Sequence, residues 1–122
     1  MKRIILAALV LSAACTGREE PAEPAPGVIC TREARSALMV TVLDASSGAR
    51  VTGANVRATT VDFSEELSEF DGVYSGAYER AGTYTIVVSH PDYQQWQRTG
   101  VVVGEDECHV ITEQVEARLT RR

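Results

Sequence analysis

Short segments in which apolar residues occupy alternate positions constrain this chain more than any other feature. Within 36–44 these positions hold Leu38, Val40 and Val42, and within 83–89 a second apolar set shares one face. A period of two is typical of strands that bury one side. Turn sequences rich in Gly, Ser and Asp follow every 8–12 residues. The pattern predicts an all-β fold, an antiparallel Greek-key β-sandwich of about seven strands, within a range of six to eight.

The predicted strands and the segment between them can be placed along the chain. Asp62 to Asp71 is expected to form an acidic loop or a short helix. Near Thr112 the apolar phase changes: Val110 belongs to one face and Ile111 to the other, together with the apolar residues after it, so we expect a β-bulge there. The strands are predicted at 36–44, 54–61, 73–78, 83–89, 95–103 and 108–119.

The N-terminus has the pattern of a secretory signal peptide over residues 1–14. Two basic residues follow Met1, and eight apolar residues, too few to span a bilayer as a helix, come next. The sequence Leu-Ser-Ala-Ala-Cys that ends at Cys15 resembles a bacterial lipobox, which implies cleavage before Cys15 and its acylation with chains such as palmitate. Because Ser12 and Ala14 also suit the general signal peptidase, simple secretion remains an alternative.

Residues 15–29 are expected to form a Pro- and Glu-rich tether between the lipidated Cys15 and a domain over 30–122. Thr16 follows the cysteine in place of Asp, which by analogy favours a bacterial outer-membrane lipoprotein that faces the periplasm or the exterior. The expected partner is therefore a membrane, reached through the N-terminal lipid.

Charge and composition exclude several classes of function. The net charge of −5 argues against a nucleic-acid partner. Cleavage after residue 14 would leave ten basic and seventeen acidic side chains, a net charge of −7, and no lysine. A chain without lysine has no Schiff-base chemistry and no lysine nucleophile.

The cysteine count predicts one disulfide. If Cys15 carries lipid, Cys30 and Cys108 remain as a pair in an oxidising compartment. The competing interpretation is a metal site that uses Cys108 and His109. Adjacent residues of a strand point to opposite faces, which makes these two poor ligands for one ion.

A family resemblance follows from the turn and strand motifs. Val51-Thr52-Gly53-Ala54-Asn55-Val56 after a Ser-Gly turn, and later Ala81-Gly82-Thr83-Tyr84 and His90-Pro91-Asp92-Tyr93, resemble carboxypeptidase regulatory-like domains over about residues 36–119. The resemblance implies a prealbumin-like or Ig-like sandwich whose first two strands form a hairpin. It also implies a non-catalytic module on secreted or surface proteins.

No pattern of catalytic residues is found, so we predict no enzyme, no cofactor and no metal. The tail Leu119-Thr120-Arg121-Arg122 lacks the Tyr-Arg-Gly-Ser ending of hydroxyisourate hydrolase, an enzyme with a prealbumin-like fold. His90 and His109 are interpreted as surface or edge residues. A degenerate enzyme stays an alternative, which requires a pocket that gathers one of them with an arginine.

Two clusters offer weaker alternatives for binding. The acidic residues Asp62, Glu65, Glu66, Glu69 and Asp71 could hold Ca²⁺, although a solvated loop explains them as well. Three rings, Tyr74, Tyr93 and Trp96, could form a platform for sugar or peptide, although core packing also explains them.

The sequence therefore predicts a non-enzymatic lipoprotein of the bacterial cell envelope that serves as a structural or protein-interaction module. A carbohydrate- or peptide-binding module of the cell surface is the alternative. The partner, apart from the membrane, would be an envelope protein or a glycan.

Overall fold

A computed structural model describes residues 27–122, in which the chain forms eight strands and no helix. Residues 27–122 contain no helix that is long and apolar enough to cross a bilayer. The strands are β1 (Leu38–Asp44), β2 (Asn55–Thr59), β3 (Ser64–Glu66), β4 (Ser68–Phe70), β5 (Val73–Gly76), β6 (Gly82–His90), β7 (Tyr93–Val103) and β8 (Glu113–Leu119).

The strands form two four-stranded sheets, in the orders β4-β5-β1-β8 and β3-β2-β6-β7. The predicted all-β sandwich is confirmed. Five of the six ladders within the described residues are antiparallel, as expected. The ladder between β1 and β8 is parallel, with Leu38 opposite Glu113 and Asp44 opposite Leu119.

The core lies between the sheets and is built from the alternating positions. In β1, Leu38, Val40 and Val42 are fully buried, while the residues between them are exposed or half-buried. Removing apolar surface of this kind from water stabilises the fold by roughly 25 cal/mol per Å². The largest fully buried side chains are Tyr74, Tyr84, Leu38, Ile86, Leu119, Val40, Val42, Val56, Val88 and Val110.

The segment 62–71 departs from the prediction of a loop or short helix. It forms β3, which pairs with β2, and β4, which pairs with β5. Each strand has only three residues, and Leu67 between them is buried. Since this segment has one buried apolar residue and no alternation, its extended form is imposed by the neighbouring strands.

The first two strands do not form the predicted hairpin. β1 and β2 lie in different sheets, and the connection between them crosses from one sheet to the other. A short hairpin-like turn does follow β1, where Leu43 and Arg50 make an isolated antiparallel bridge. Gly48 and Gly53 both adopt a φ of +72°, as expected for turn glycines.

Near Thr112, where the apolar residues change from one face to the other, the strand is interrupted. The predicted bulge is wrong. Val110 is buried and bridges Glu105, whereas β8 begins only at Glu113. Ile111 does not share the buried face of the following strand, since it is 56% exposed. Irregular register occurs instead between β6 and β7, on both sides of Ile86–Val88.

Candidate functional site

One end of the sandwich gathers the N-terminal described residues and three loops. We call it the disulfide end and define it by residues 28–36, 60–63, 77–82 and 104–112. The predicted disulfide between Cys30 and Cys108 is present there, with a Cα–Cα distance of 5.2 Å. It joins the segment before β1 to the loop before β8.

A hydrogen-bonded chain of side chains lies beside the disulfide. His109, only 9% exposed, donates from Nδ1 to Glu79 Oε1 over 2.7 Å, and its Nε2 lies 3.0 Å from the Thr31 hydroxyl. A carboxylate only accepts hydrogen bonds, so Nδ1 carries the proton that points to Glu79. The expectation that His109 is a surface or edge residue is therefore wrong, because the ring is buried and bonded on both nitrogens.

Glu79 is the acceptor at the centre of this chain. Its Oε1 also accepts from the Arg35 backbone N–H at 2.9 Å, and its Oε2 from that of Val110 at 3.2 Å. These hydrogen bonds, of which the one from Arg35 has the largest effect, hold the pKa of Glu79 below its ordinary value. Glu79 lies in the tight turn after β5 with a φ of +56°, a left-handed conformation that residues other than glycine rarely adopt.

Asp106 fixes the backbone that carries His109. Its Oδ1 accepts from the backbone N–H groups of Cys108 and His109 at 2.8 and 2.9 Å, the geometry of an Asx turn. The same two bonds lower the pKa of Asp106. The short sequence Asp-Glu-Cys-His thus forms a turn that fixes the cysteine and the histidine together.

A cavity of about 420 Å³ opens beside these residues, and its walls include Thr31, Arg35, Cys108 and His109. The cavity therefore brings His109 and an arginine together, the arrangement that the degenerate-enzyme alternative requires. The Arg35 guanidinium, however, is bonded through both Nε and Nη2 to Glu33 Oε1.

The order carboxylate, imidazole and hydroxyl is also the order that activates a nucleophile. In this chain the Thr31 hydroxyl also hydrogen-bonds the Glu33 carboxylate. That bond lowers the pKa of Glu33, after the larger effect of Arg35. The arrangement fastens residues 30–35 to the two loops, and we assign no reaction to it.

The opposite end of the sandwich contains a buried carboxylate that the sequence did not single out. Asp44, 4% exposed, accepts hydrogen bonds from the backbone of Ser46 and Ser47, from the Tyr93 hydroxyl at 2.7 Å and from Arg121 Nε at 2.9 Å. These hydrogen bonds, of which the one from Ser47 has the largest effect, hold the pKa of Asp44 well below its usual range. The cluster ties the C-terminal residues to the turn after β1.

The three aromatic residues proposed as a binding platform do not form one. Tyr74 and Tyr93 are buried, and only Trp96 is partly exposed, with the Arg98 guanidinium 5.1 Å from its ring. The Tyr74 hydroxyl donates to Glu69 Oε1 at 2.6 Å and accepts from the Ala54 N–H at 3.0 Å. Burial, and then the bond to Glu69, raises the pKa of Tyr74 to about 12.

The acidic residues of 62–71 are dispersed among separate partners. Glu65 accepts from the backbone N–H of Ala77, Glu66 from the Asn55 amide and Glu69 from the Gly53 N–H. Across residues 27–122 no group of three His, Cys, Asp or Glu side chains is arranged to hold a metal ion. The calcium alternative therefore has no support in this part of the chain.

His90 lies at the end of β6, away from the disulfide. Its Nδ1 accepts from the Asp92 N–H at 3.1 Å, and its Nε2 lies 3.2 Å from the Thr52 carbonyl. It closes the turn between β6 and β7, which agrees with the interpretation of an edge residue. The predicted signal peptide, the lipidated Cys15 and most of the tether lie outside the described residues, so all three remain predictions.

Comparison with known families agrees with this architecture. The model of the carboxypeptidase regulatory-like domain matches residues 37–120, which include all eight strands. The chain belongs to this family. A search of curated proteins finds no match. The resemblance seen in the turn motifs is confirmed, and the carboxypeptidase regulatory-like domain is a non-catalytic domain of regulatory or interaction type.

The matched segment does not include every residue of the disulfide end. Cys108 lies inside it, whereas Cys30 and Thr31 precede it. Two of the bonds that hold the upstream segment therefore connect residues outside the family domain to residues within it.

Proposed function

We propose that this protein is a lipoprotein of the bacterial cell envelope whose carboxypeptidase regulatory-like domain acts as a non-catalytic structural or protein-interaction module. In this proposal, the signal peptide over 1–14 is removed, Cys15 carries the lipid, and the residues up to Ile29 tether the domain to the membrane. The outer membrane is the proposed location, with the domain facing the periplasm or the exterior.

The observation that carries the proposal is the Cys30–Cys108 disulfide at the point where the tether meets the domain. Disulfides persist in oxidising compartments and are rare in the bacterial cytosol, so the bond supports export. Its position also suits a tethered domain. A pull on the tether reaches the sandwich through a covalent bond and the Thr31–His109 contact, and it does not peel β1 from its neighbours.

The alternative of a carbohydrate- or peptide-binding module is not favoured by any contact in the described residues. Two of its three rings, Tyr74 and Tyr93, are committed to the core and to hydrogen bonds with Glu69 and Asp44. A ligand would have to rely on Trp96, whose ring is partly covered and paired with Arg98.

The lipid anchor is tested by expressing the full chain in a two-membrane bacterium. Mass spectrometry of the mature N-terminus should show cleavage before Cys15 and the mass of the attached acyl chains. The Cys15→Ala variant should move from the membrane to the soluble envelope fraction, while the control Thr16→Ala should stay with the membrane. A Cys15→Ala variant that remains membrane-bound would contradict the proposal.

A further inference from the structure

Exposed apolar side chains concentrate at the disulfide end. Eight large apolar side chains are exposed within residues 27–122, and five of them lie at this end, in the segment before β1 or in the loops. Val61 is fully exposed and Ile29 is 91% exposed. The five residues are Val28, Ile29, Val61, Tyr78 and Ile111.

The five residues come from separate segments that touch one another. The Arg80 guanidinium lies 4.2 Å from the Phe63 ring, which places the turn that carries Val61 beside the turn that carries Tyr78. Ile111 donates its backbone N–H to Gly104 within the loop that the disulfide joins to the segment of Val28 and Ile29. The five exposed apolar side chains therefore belong to segments that adjoin one another at one end of the sandwich.

We propose that the disulfide end rests on the membrane, with these apolar side chains inserted at the interface of a bilayer of zwitterionic lipid. The proposal rests on the lipid anchor at Cys15. The chain leaves the domain at this end, and twelve residue steps separate Cys15 from Gly27, which can span no more than about 40 Å. An anchor this close gives the end a high effective concentration at the surface, so a weak contact of a few side chains is sufficient.

Charge at this end selects the kind of lipid. Six acidic residues outnumber three arginines there, so an anionic surface would repel it. Insertion should therefore be driven by apolar contact, change little with salt, and weaken as anionic lipid is added. The charged residues are Glu33, Asp62, Glu79, Glu105, Asp106 and Glu107 against Arg32, Arg35 and Arg80.

Quenching of tryptophan fluorescence by brominated phosphatidylcholine tests the contact. The probe is Val61→Trp in a Trp96→Phe background, in the mature lipidated chain bound to phosphatidylcholine vesicles. The matched control is Phe70→Trp in the same background, because Phe70 is also apolar and 85% exposed but is the last residue of β4, next to the turn at the opposite end. We expect the emission at position 61 to fall by roughly half, as for a side chain at the acyl boundary, and that at position 70 to change little.

A second arm separates this proposal from the lipid anchor. Residues 16–122 carrying an N-terminal hexahistidine tag, bound to vesicles with a nickel-chelating lipid, attach at the same point without acylation. Quenching at position 61 in this arm supports the docking whatever the state of Cys15. Equal emission with and without brominated lipid at position 61, in both arms, would overturn the docking even if mass spectrometry finds the acyl chains.

Discussion

Replacing both cysteines of the disulfide with alanine should destabilise the domain strongly. Cys30 and Cys108 are separated by 78 residues, and the closed loop contains β1 to β7. The chain-entropy relation gives a loss of about 4.5 kcal/mol for opening such a loop. A small domain has a free energy of unfolding of only about 5–15 kcal/mol, so this loss removes between roughly a third and nine tenths of it.

Urea unfolding followed by circular dichroism measures this loss. With the slope usual for a small domain, the midpoint should fall by roughly 1.5–4.5 M. Neither cysteine lies in a strand, so the variant can keep every ladder, and the effect should come from a less constrained unfolded ensemble. The slope should then rise, and stopped-flow traces should show slower folding with nearly unchanged unfolding.

The wild-type chain reduced with a phosphine is the control, and it should coincide with the double variant. A loss below about 1 kcal/mol would refute the loop-closure reasoning, because the calculated term would be absent. Faster unfolding with an unchanged folding rate would also refute it, since the bond would then act in the native state.

Three further predictions concern side chains and turns of the sandwich. Tyr74→Phe removes a buried hydroxyl that bonds Glu69 and should cost about 1–3 kcal/mol in urea unfolding; a cost near zero would show that the hydroxyl contributes nothing. The lowered pKa of Asp44 means that wild-type stability holds above the unfolded pKa of about 4 and falls as the pH drops below it. Thermal unfolding of Asp44→Asn should therefore show lower stability at neutral pH and a flatter acid branch, and parallel curves would contradict the assignment. Gly48→Ala, at a φ of +72°, should cost about 1 kcal/mol, whereas Gly104→Ala, in open space without positive φ, should cost less; equal costs would argue against left-handed strain.

Strands that bury one complete face could be predicted from the sequence. In β1 and β6 the apolar residues alternate over at least five positions, so local pattern and tertiary packing require the same extended conformation. The segment 62–71 has no such pattern. Its two strands are extended because β2 and β5 offer unpaired edges, and that information lies elsewhere in the chain.

The pairing of the strands was harder to predict from the sequence than their positions along the chain. The turn residues after Asp44 predicted a change of direction, but they did not show that the next strand belongs to the other sheet. The parallel pairing of β1 with β8 joins residues about 75 positions apart, and no local signal records it. The same holds for the Asp44 cluster, whose partners Tyr93 and Arg121 lie 49 and 77 positions away.

The acidity of the domain has a structural explanation that does not require a cationic partner. Asp44, Glu65, Glu69, Glu79 and Asp106 each accept at least one backbone N–H from a turn or loop. A carboxylate stabilised by such donors keeps its charge without a lysine, and the chain has none after residue 2. These carboxylates bond backbone N–H groups of turns and loops, so part of the negative charge has a structural role. The net charge of the chain therefore does not identify the partner by itself; at the disulfide end it argues against an anionic surface, and the exposed apolar side chains indicate what that end contacts.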